Sequence, residues 1–334
     1  MLKMSGGMIG LLKSPEYILK RIKDGGSISK DEALDLVDAN IEWLCRAADG
    51  IRKQFCGNVF DLCSIINAKS GRCGEDCKFC AQSAHYHTNA EEYPLLQKDK
   101  ILTEAKHNSD GGVLRFSLVT SGERLTDKEV DNICDSVKAI KKETRLSVCA
   151  SLGLLSAEQF ARLKTAGVER IHNNLETSRC FFPHVCTTHS YDDKISALEA
   201  AREAGMDLCS GGIIGLGETM EDRIDLALTV RKLGVKSVPV NVLNPISGTP
   251  FENNPKLSDE EIHRTVAIFR LILPDASIRL AGGRGLMADR GGRCFVSGAN
   301  AAITGDMLTT SGVTIENDMK ILNELGYKPA LWSA

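Results

Sequence analysis

Residues 156–172 read SAEQFARLKTAGVERIH. Ser156 and Gln159 have the spacing of a capping box, in which the two side chains satisfy each other's free backbone amides at the start of a helix. Gly167 stands where a helix needs a left-handed residue to end. The β-branched residues that follow favour a strand. The stretch therefore predicts one helix joined to one strand through a glycine.

The same unit recurs along the chain. Capping boxes also begin at Ser29, Thr126 and Ser258, and glycines that can end helices stand at Gly205 and Gly234. Apolar runs predict strands near residues 59–66, 113–119, 146–152, 168–175, 207–214, 237–243, 276–281 and 295–303. Eight strands that alternate with helices over about 250 residues favour an α/β fold of the (β/α)8 TIM-barrel type. An open doubly wound sheet has the same alternation and stays an alternative.

The segment before the first strand differs from the rest of the chain. Residues 1–56 have amphipathic helical patterns without a strand, so we assign them to an N-terminal helical cap. We assign residues 57–334 to the barrel with a C-terminal extension. No Pro-rich or Ser-rich linker divides the two.

Composition limits the classes of partner. The 334 residues carry a formal net charge of −3 with 25% charged residues, so no broad basic field favours nucleic acid or an anionic membrane. The apolar run at residues 8–12 is too short to span a bilayer. We expect a cytoplasmic protein that acts on a small ligand. Twelve cysteines in such a protein indicate metal or cluster binding rather than disulfides.

A dense group of cysteines follows the first predicted strand, in residues 71–83, which read GRCGEDCKFCAQS. The cysteines are Cys73, Cys77 and Cys80. Three thiolates at this spacing can hold three irons of a [4Fe–4S] cluster and leave the fourth iron open to a ligand. The alternative is a zinc site completed by His85 or His87, but structural zinc sites usually use paired C-x2-C units.

The triplet resembles the signature of the radical S-adenosylmethionine superfamily. The resemblance implies that the open iron binds S-adenosylmethionine and that the cluster cleaves it to a 5′-deoxyadenosyl radical. Phe79 stands where the superfamily has an aromatic residue beside the adenine. Further segments between about residues 60 and 312 resemble the biotin synthase family, which inserts sulfur into dethiobiotin. These segments are HNNLETS (172–178), CSGGIIGLGET (209–219), VPVN (238–241) and RLAGGR (279–284).

The resemblance implies roles for residues at the ends of the predicted strands, where barrel enzymes assemble their sites. Asn174 and Glu176 would contact the ribose of S-adenosylmethionine, and Lys194 would lie near its carboxylate. The backbone of Gly211, Gly212 and Ile213 would approach the same cofactor. Asn174, Asn241 and Arg279 would contact dethiobiotin. Without the resemblance, such residues could equally be helix caps or turn residues.

One position departs from the family pattern. In the familiar form, a [2Fe–2S] cluster held by three cysteines and an arginine donates the sulfur. Cys149, Cys209 and Arg279 match three of these ligands, but Ser117 stands at the fourth position, and a serine hydroxyl is a poor ligand for iron beside thiolates. We therefore predict that Cys149, Cys186 and Cys209 hold a rearranged auxiliary cluster. It is either a [2Fe–2S] cluster or a sulfide-bearing four-iron cluster, as in a form of the family associated with anaerobic life.

The other thiols receive weaker assignments. Cys180 and Arg279 are weaker candidate ligands of the auxiliary cluster, and the alternative role of Arg279 there is that of a nearby charge. We interpret the remaining cysteines as small buried hydrophobic residues. They are Cys45, Cys56, Cys63, Cys134 and Cys294. Replacing Cys186 with alanine is expected to abolish the auxiliary cluster and to spare the first cluster.

The resemblance also implies a homodimer and a small electron-transfer protein, flavodoxin or ferredoxin, as partner. Two other functions stay open at this point. The chain could be another radical enzyme of the same subfamily, such as a hydrogenase maturase or a methylornithine synthase. From a different class, it could be a zinc-binding module without catalytic activity.

Overall fold

The computed structural model describes residues 14–332. The strands are β1 (Val59–Lys69), β2 (Arg115–Thr120), β3 (Ser147–Ser151), β4 (Val168–His172), β5 (Asp207–Cys209), β6 (Gly212–Ile214), β7 (Ser237–Val242), β8 (Ser277–Leu280), β9 (Ala301–Thr304) and β10 (Lys328–Pro329). The helices are α1 (Pro15–Lys23), α2 (Lys30–Asp35), α3 (Ile41–Cys56), α4 (Lys98–Asp110), α5 (Asp127–Glu143), α6 (Ala157–Ala166), α7 (Tyr191–Glu203), α8 (Met220–Lys232), α9 (Asp259–Ile272), α10 (Gly292–Phe295) and α11 (Ile315–Glu324).

The strands close into a parallel barrel with eight strand positions in the described residues. The order is β1-β2-β3-β4-β5-β7-β8-β9, and β9 pairs again with β1 from Asp61↔Ala301 to Ser64↔Thr304. β5 and β6 both pair with β7, so together they fill one position that is interrupted at residues 210–211. The closing pair confirms the (β/α)8 fold and excludes the open sheet, which would leave two unpaired edges.

The local signals for helix ends are confirmed. Full capping boxes form at Ser29, Thr126 and Ser156, and Gly167 ends α6 with φ 111°. At Ser258 the hydroxyl accepts a hydrogen bond from the Glu261 amide at 3.2 Å. The Glu261 carboxylate does not return the bond, because it pairs with the Arg223 guanidinium at 2.9 Å on a neighbouring helix.

The last predicted strand, residues 295–303, is wrong in its first half. Gly292–Phe295 forms the short helix α10, and the strand begins only at Ala301. Phe295 is fully buried, with its ring centroid 4.7 Å from that of Phe60 and its carbonyl accepting from the Tyr327 hydroxyl. A short apolar run is compatible with a buried helix or a buried strand, so the pattern alone did not decide.

The helices before the barrel pack against its outer helices. Lys30 in α2 contacts Asp225 in α8 at 2.8 Å, and Arg264 in α9 donates to the Val37 and Ala39 carbonyls at 2.7 Å each. The apolar run at residues 8–12 lies outside the described residues, and the domain boundaries at residues 56 and 57 stay a prediction. No helix within residues 14–332 is both long enough and apolar enough to cross a membrane.

Strand alternation decides which side chains face the barrel interior, because successive residues point to opposite faces. In β1 the alternate residues Asp61, Cys63 and Ile65 share one face. The register then aligns Cys63 with Arg115, and Ile65 with Ser117 on β2. The barrel interior therefore carries charged, hydroxyl and thiol groups beside its aliphatic residues.

Candidate active site

The cysteine triplet lies in the loop between β1 and α4. Its backbone folds back on itself, since the Cys73 amide donates to the Gln82 carbonyl at 3.0 Å and the Ala84 amide donates to the Cys73 carbonyl at 2.8 Å. The Cys80 amide closes a tight turn onto the Cys77 carbonyl at 2.9 Å. All three triplet residues are partly exposed. The sequence therefore builds a loop that presents three thiols together.

The zinc alternative requires one histidine near the triplet thiols. His85 instead donates from Nε2 to the Gly74 carbonyl at 2.9 Å, so it braces the loop backbone. In residues 14–332, the group whose ligand atoms lie within 4.8 Å of one another is Cys77, Cys186 and His189. Neither predicted histidine belongs to it. Within the described residues Cys73 and Cys80 do not join that group either, so the triplet as a whole suits a cluster of several irons better than a single ion.

A cavity of about 360 Å³ opens at the carboxyl ends of the strands. It contains six of the side chains that the sequence analysis selected: Phe79, Asn174, Glu176, Lys194, Ile213 and Asn241. We call it the mouth cavity. Its lining combines aliphatic residues with few amide and charged groups, which is typical of a small-molecule site.

Glu176 is held in an unusual state in the mouth cavity. Its φ of 70° is rare for a residue with a side chain, and it is fixed by two backbone hydrogen bonds, from its own amide to Gly211 O at 3.0 Å and from the Ile213 amide at 2.8 Å. Burial raises the pKa of the carboxyl, and Lys194 opposes that shift. Oε2 is buried without a hydrogen-bond partner. The carboxyl can therefore accept a hydrogen bond from a hydroxyl of a ligand.

The two asparagines are fixed by the barrel and keep free bonding capacity. Asn174 Oδ1 accepts from His172 Nε2 at 2.8 Å and from the Gly211 amide at 3.1 Å. Asn241 donates from Nδ2 to the Gly212 carbonyl at 3.0 Å and accepts from the Gly282 amide at 2.9 Å. Each carboxamide has two donor hydrogens and two acceptor lone pairs, so Asn174 can still donate and Asn241 can do both.

Gly211 and Gly212 serve a different purpose from the predicted approach to a cofactor. A Cβ on Gly211 would lie 2.0 Å from the Pro239 carbonyl oxygen, and one on Gly212 would lie 2.1 Å from the Glu176 carbonyl oxygen. Neither glycine lines the mouth cavity, whereas Ile213 does. These glycines let three strands pack closely at the β5–β6 interruption.

A second and much smaller cavity, of about 20 Å³, lies inside the barrel, and we call it the inner cavity. Ile65, His172 and Ile303 line both cavities, so the two are adjacent. Its further lining residues are Cys63, Arg115, Ser117, Cys149, Arg170, Cys209, Ser237, Pro239 and Arg279. Three buried thiols and three guanidiniums therefore line one cavity inside the barrel.

The inner cavity has more positive than negative groups around it. Asp61, with no exposed side-chain surface, bonds Arg115 Nε at 2.8 Å and pairs with Arg279 Nη2 at 3.1 Å. Arg170 contacts the largely exposed Asp207 at 3.5 Å, and its Nε and Nη1 are buried without hydrogen-bond partners. Such buried donors are normally satisfied, so the cavity favours an anionic occupant.

The structure does not bring Cys186 together with Cys149 and Cys209, which line the inner cavity. Cys186 Sγ lies 3.2 Å from Asp76 Oδ1 and 3.4 Å from His189 Nδ1, beside the triplet loop. The Thr187 amide donates to the same Asp76 oxygen at 2.8 Å, so the loop after β4 braces the triplet loop. This tie holds Cys186 outside the barrel interior.

Two further assignments differ from the sequence analysis. Cys180 is exposed in an outer groove beside Asp225 and Lys232 of α8, apart from both cavities. Arg279 lines the inner cavity and not the mouth cavity, and its Nη1 donates to the Asp61 and Ala302 carbonyls at 2.9 and 3.0 Å. Arg279 is therefore placed beside the inner thiols rather than among the polar groups of the mouth.

Sequence reasoning missed Cys63 as a site residue. It was interpreted as a buried hydrophobic residue because its neighbours in sequence are apolar. The available signal was its spacing of two from Asp61, since a charged residue inside an otherwise apolar strand marks the polar face. The structure places Cys63 in the inner cavity with Cys149 and Cys209.

Comparison with known proteins identifies relatives over nearly the whole chain. The Radical SAM superfamily pattern matches residues 68–230, and the Biotin and Thiamin Synthesis associated domain matches residues 239–328. The chain is 58% identical over 315 residues to a biotin synthase of Brachyspira hyodysenteriae, covering 94% of this chain and 95% of that protein. It is 55% identical over 325 residues to Biotin synthase 2 of Corynebacterium diphtheriae, covering 97% and 98%.

Solved structures show the same fold at low identity. A methylornithine synthase, 20% identical, superposes with a TM-score of 0.81 and covers 94% of this chain and 97% of its own. HydG, a maturase of the [FeFe]-hydrogenase, is 19% identical with a TM-score of 0.81, covering 95% and 75%. At these identities the likeness shows the barrel alone, whereas the sequence relatives favour neither alternative enzyme.

Proposed function

The chain belongs to the biotin synthase family of radical S-adenosylmethionine enzymes, and we propose that its two adjacent cavities divide the work of sulfur insertion. The family inserts sulfur into dethiobiotin with a [4Fe–4S] cluster and S-adenosylmethionine. In this proposal the mouth cavity receives S-adenosylmethionine and dethiobiotin, and the inner cavity receives an auxiliary iron–sulfur cluster. The observation that carries it is the position of three buried thiols directly beside the polar mouth cavity.

The residues fit the cofactors that the family implies. The triplet supplies three thiolates, and the inner cavity supplies three more, together with unpartnered guanidinium donors on Arg170 that suit an anionic cluster. When bound, the first cluster supplies the electron that cleaves S-adenosylmethionine, and the auxiliary cluster supplies the sulfur. The chain itself binds, orients and excludes water, as proteins do around such cofactors.

In the mouth cavity, each polar group has a role in this proposal. Phe79 flanks the adenine of S-adenosylmethionine. The unpartnered Oε2 of Glu176 accepts a hydrogen bond from the ribose, and Nδ2 of Asn174 donates one to it. Lys194, whose Nζ lies 3.4 Å from Asn173 Oδ1, lies near the carboxylate. Asn241 holds the ureido ring of dethiobiotin with the bonding capacity that Gly212 and Gly282 leave free.

The partners follow from the family. Each of two hydrogen abstractions from dethiobiotin consumes one S-adenosylmethionine, so one turnover needs electrons from outside the chain. We propose that a flavodoxin or ferredoxin donates them and that the enzyme works as a homodimer in the cytoplasm.

A product assay tests the function. Anaerobically reconstituted protein is incubated with S-adenosylmethionine, dethiobiotin and a chemical reductant, and biotin and 5′-deoxyadenosine are measured. We expect both products from the native chain and from Cys134→Ala, which removes a buried thiol on the outer helix α5. The variant with Cys73, Cys77 and Cys80 all replaced by alanine should form neither. If the native chain forms 5′-deoxyadenosine and no biotin, the substrate assignment is wrong.

A further inference from the structure

Cys63 faces the barrel interior, as do Cys149 and Cys209. The register pairs Cys63 with Arg115 on β2 and with Ile303 on β9, whereas the next inward residue, Ile65, pairs with Ser117. Ser117 in turn pairs with Cys149 on β3. Cys63 therefore lies on the strand next to Ser117, two residues before Ile65, which is the residue paired with Ser117. Both side chains line the inner cavity.

The three inner thiols are buried and line the same cavity. Cys63, Cys149 and Cys209 are 6%, 4% and 7% exposed, and all are free. Burial raises the pKa of Cys63 to about 12; Arg279 opposes the shift and the Cys149 thiol adds to it. Cys149 has Cys209 as its own thiol neighbour. Metal binding displaces thiol protons, so the raised pKa values of Cys63 and Cys149 in the metal-free chain are compatible with ligation.

Ser117 is a poor substitute for a third thiolate, although its position suggests one. Its Oγ is buried without a hydrogen-bond partner. A hydroxyl binds iron weakly beside thiolates, and ionising it in a buried site is costly. It can instead donate a hydrogen bond to a sulfide in the cavity.

The side chains around the inner cavity carry more positive than negative charge, and a thiolate-bound cluster is negatively charged. Arg115 and Arg279 share the single carboxylate of Asp61, and Arg170 keeps two buried donors without partners. An anion at this depth would be stabilised by the excess positive charge, because electrostatic interactions are strong in a buried site. Three thiolates and sulfides provide that anion.

We propose that Cys63, Cys149 and Cys209 hold the auxiliary cluster, with Cys63 replacing the thiol that Ser117 lacks. The inference rests on the proposed function, and it changes the ligand set from that predicted by sequence. In residues 14–332 the group with all ligand atoms within 4.8 Å of one another lies at the triplet loop, so the spacing of the inner thiols suits a cluster better than a single shared ion. A cluster can bridge such a spacing because its irons lie apart.

The test uses the chain in which the three triplet cysteines are alanine, so that any bound cluster belongs to the inner cavity. Cys63→Ser, Cys63→Ala, Cys186→Ala and Cys134→Ala are added to it separately. After anaerobic reconstitution, iron and sulfide per chain are measured together with Mössbauer spectra. Circular dichroism checks that each variant is folded. If Cys63→Ser does not fold, Cys63→Ala is used in its place.

We expect both Cys63 variants to lose at least 80% of the bound iron, because two thiolates hold a cluster poorly. Cys186→Ala and Cys134→Ala should retain it. Full iron in a folded Cys63 variant, or iron loss in Cys186→Ala, would overturn the inference while leaving biotin formation by the native chain untouched. If the parent triplet variant binds no iron, the auxiliary cluster of the proposed function fails first, and this ligand set fails with it.

Discussion

Asp61→Asn tests the charge balance at the base of the inner cavity. The Asp61 side chain is fully buried between Arg115 and Arg279 and also accepts from the Trp332 amide at 3.2 Å. Removing its charge leaves two buried guanidiniums without a carboxylate. Breaking a buried pair in this way costs about 3–5 kcal/mol, because the surviving charge is desolvated and uncompensated.

The cost converts to a melting temperature. At about 2.1 cal/mol/K per residue, 334 residues give an unfolding entropy of about 0.7 kcal/mol/K, so the substitution should lower Tm by about 4–7 °C. Scanning calorimetry of iron-free, anaerobic protein measures it. The matched control is Asp192→Asn: this carboxylate makes two 2.8 Å bonds to Arg179 but is 72% exposed. An exposed pair contributes little to stability, so Asp192→Asn should lower Tm far less than Asp61→Asn does.

The effect of Asp61→Asn on Tm should also depend on pH. Burial alone would raise the pKa of the Asp61 carboxyl, but Arg279 and Arg115 hold it below its ordinary 3.8. A depressed folded-state pKa contributes stability that is present above the unfolded value and is lost as pH falls through the folded value. The Tm difference between native and Asp61→Asn should therefore be constant from pH 8 to 5 and shrink only below 3.8. Equal shifts in Asp61→Asn and Asp192→Asn would refute the reasoning.

Three further substitutions test the site. Gly211→Ala should destabilise the protein by about 1–3 kcal/mol, because the new Cβ would lie 2.0 Å from the Pro239 carbonyl oxygen. The control is Gly50→Ala in the middle of α3, where a Cβ has open space and the fold should become slightly more stable. Thermal melts compare the two variants. Cys186→Ala should keep the inner iron, contrary to the expectation from sequence, as iron analysis of the triplet variant would show. Glu176→Gln should raise KM for S-adenosylmethionine at least fivefold with unchanged iron content, and an unchanged KM would remove Glu176 from the binding site.

The fold was predictable where the signals are local. A capping box at Ser156 and a glycine at Gly167 each fix the backbone through bonds to residues a few positions away, so the helix–strand units follow from short stretches. The apolar run that ends in α10 failed for the opposite reason. Its state is decided by packing against Phe60 and Tyr327, which lie far away in sequence.

The thiols of the inner cavity were predictable where they lie on strands, and the position of Cys186 in a loop was not. Cys149 and Cys209 lie on strands, whose alternation fixes the direction of a side chain once the inner face is known. The same rule applied to β1 would have selected Cys63, because Asp61 marks that face. Cys186 lies in the loop after β4, where no periodicity states the direction, and its position depends on hydrogen bonds to Asp76.

The residues shared by the two cavities explain how one barrel can separate two chemistries. Ile65 and Ile303 are aliphatic, and burial lowers the pKa of His172, which keeps its ring neutral and donating to Asn174. The boundary between the cavities is thus largely apolar, with polar groups such as Asn241 on the mouth side. We expect dethiobiotin to lie with its ureido ring at Asn241 and its unactivated carbons against this boundary. Sulfur held by the inner thiols would then face the carbons that it must bond, and no charged side chain would intervene.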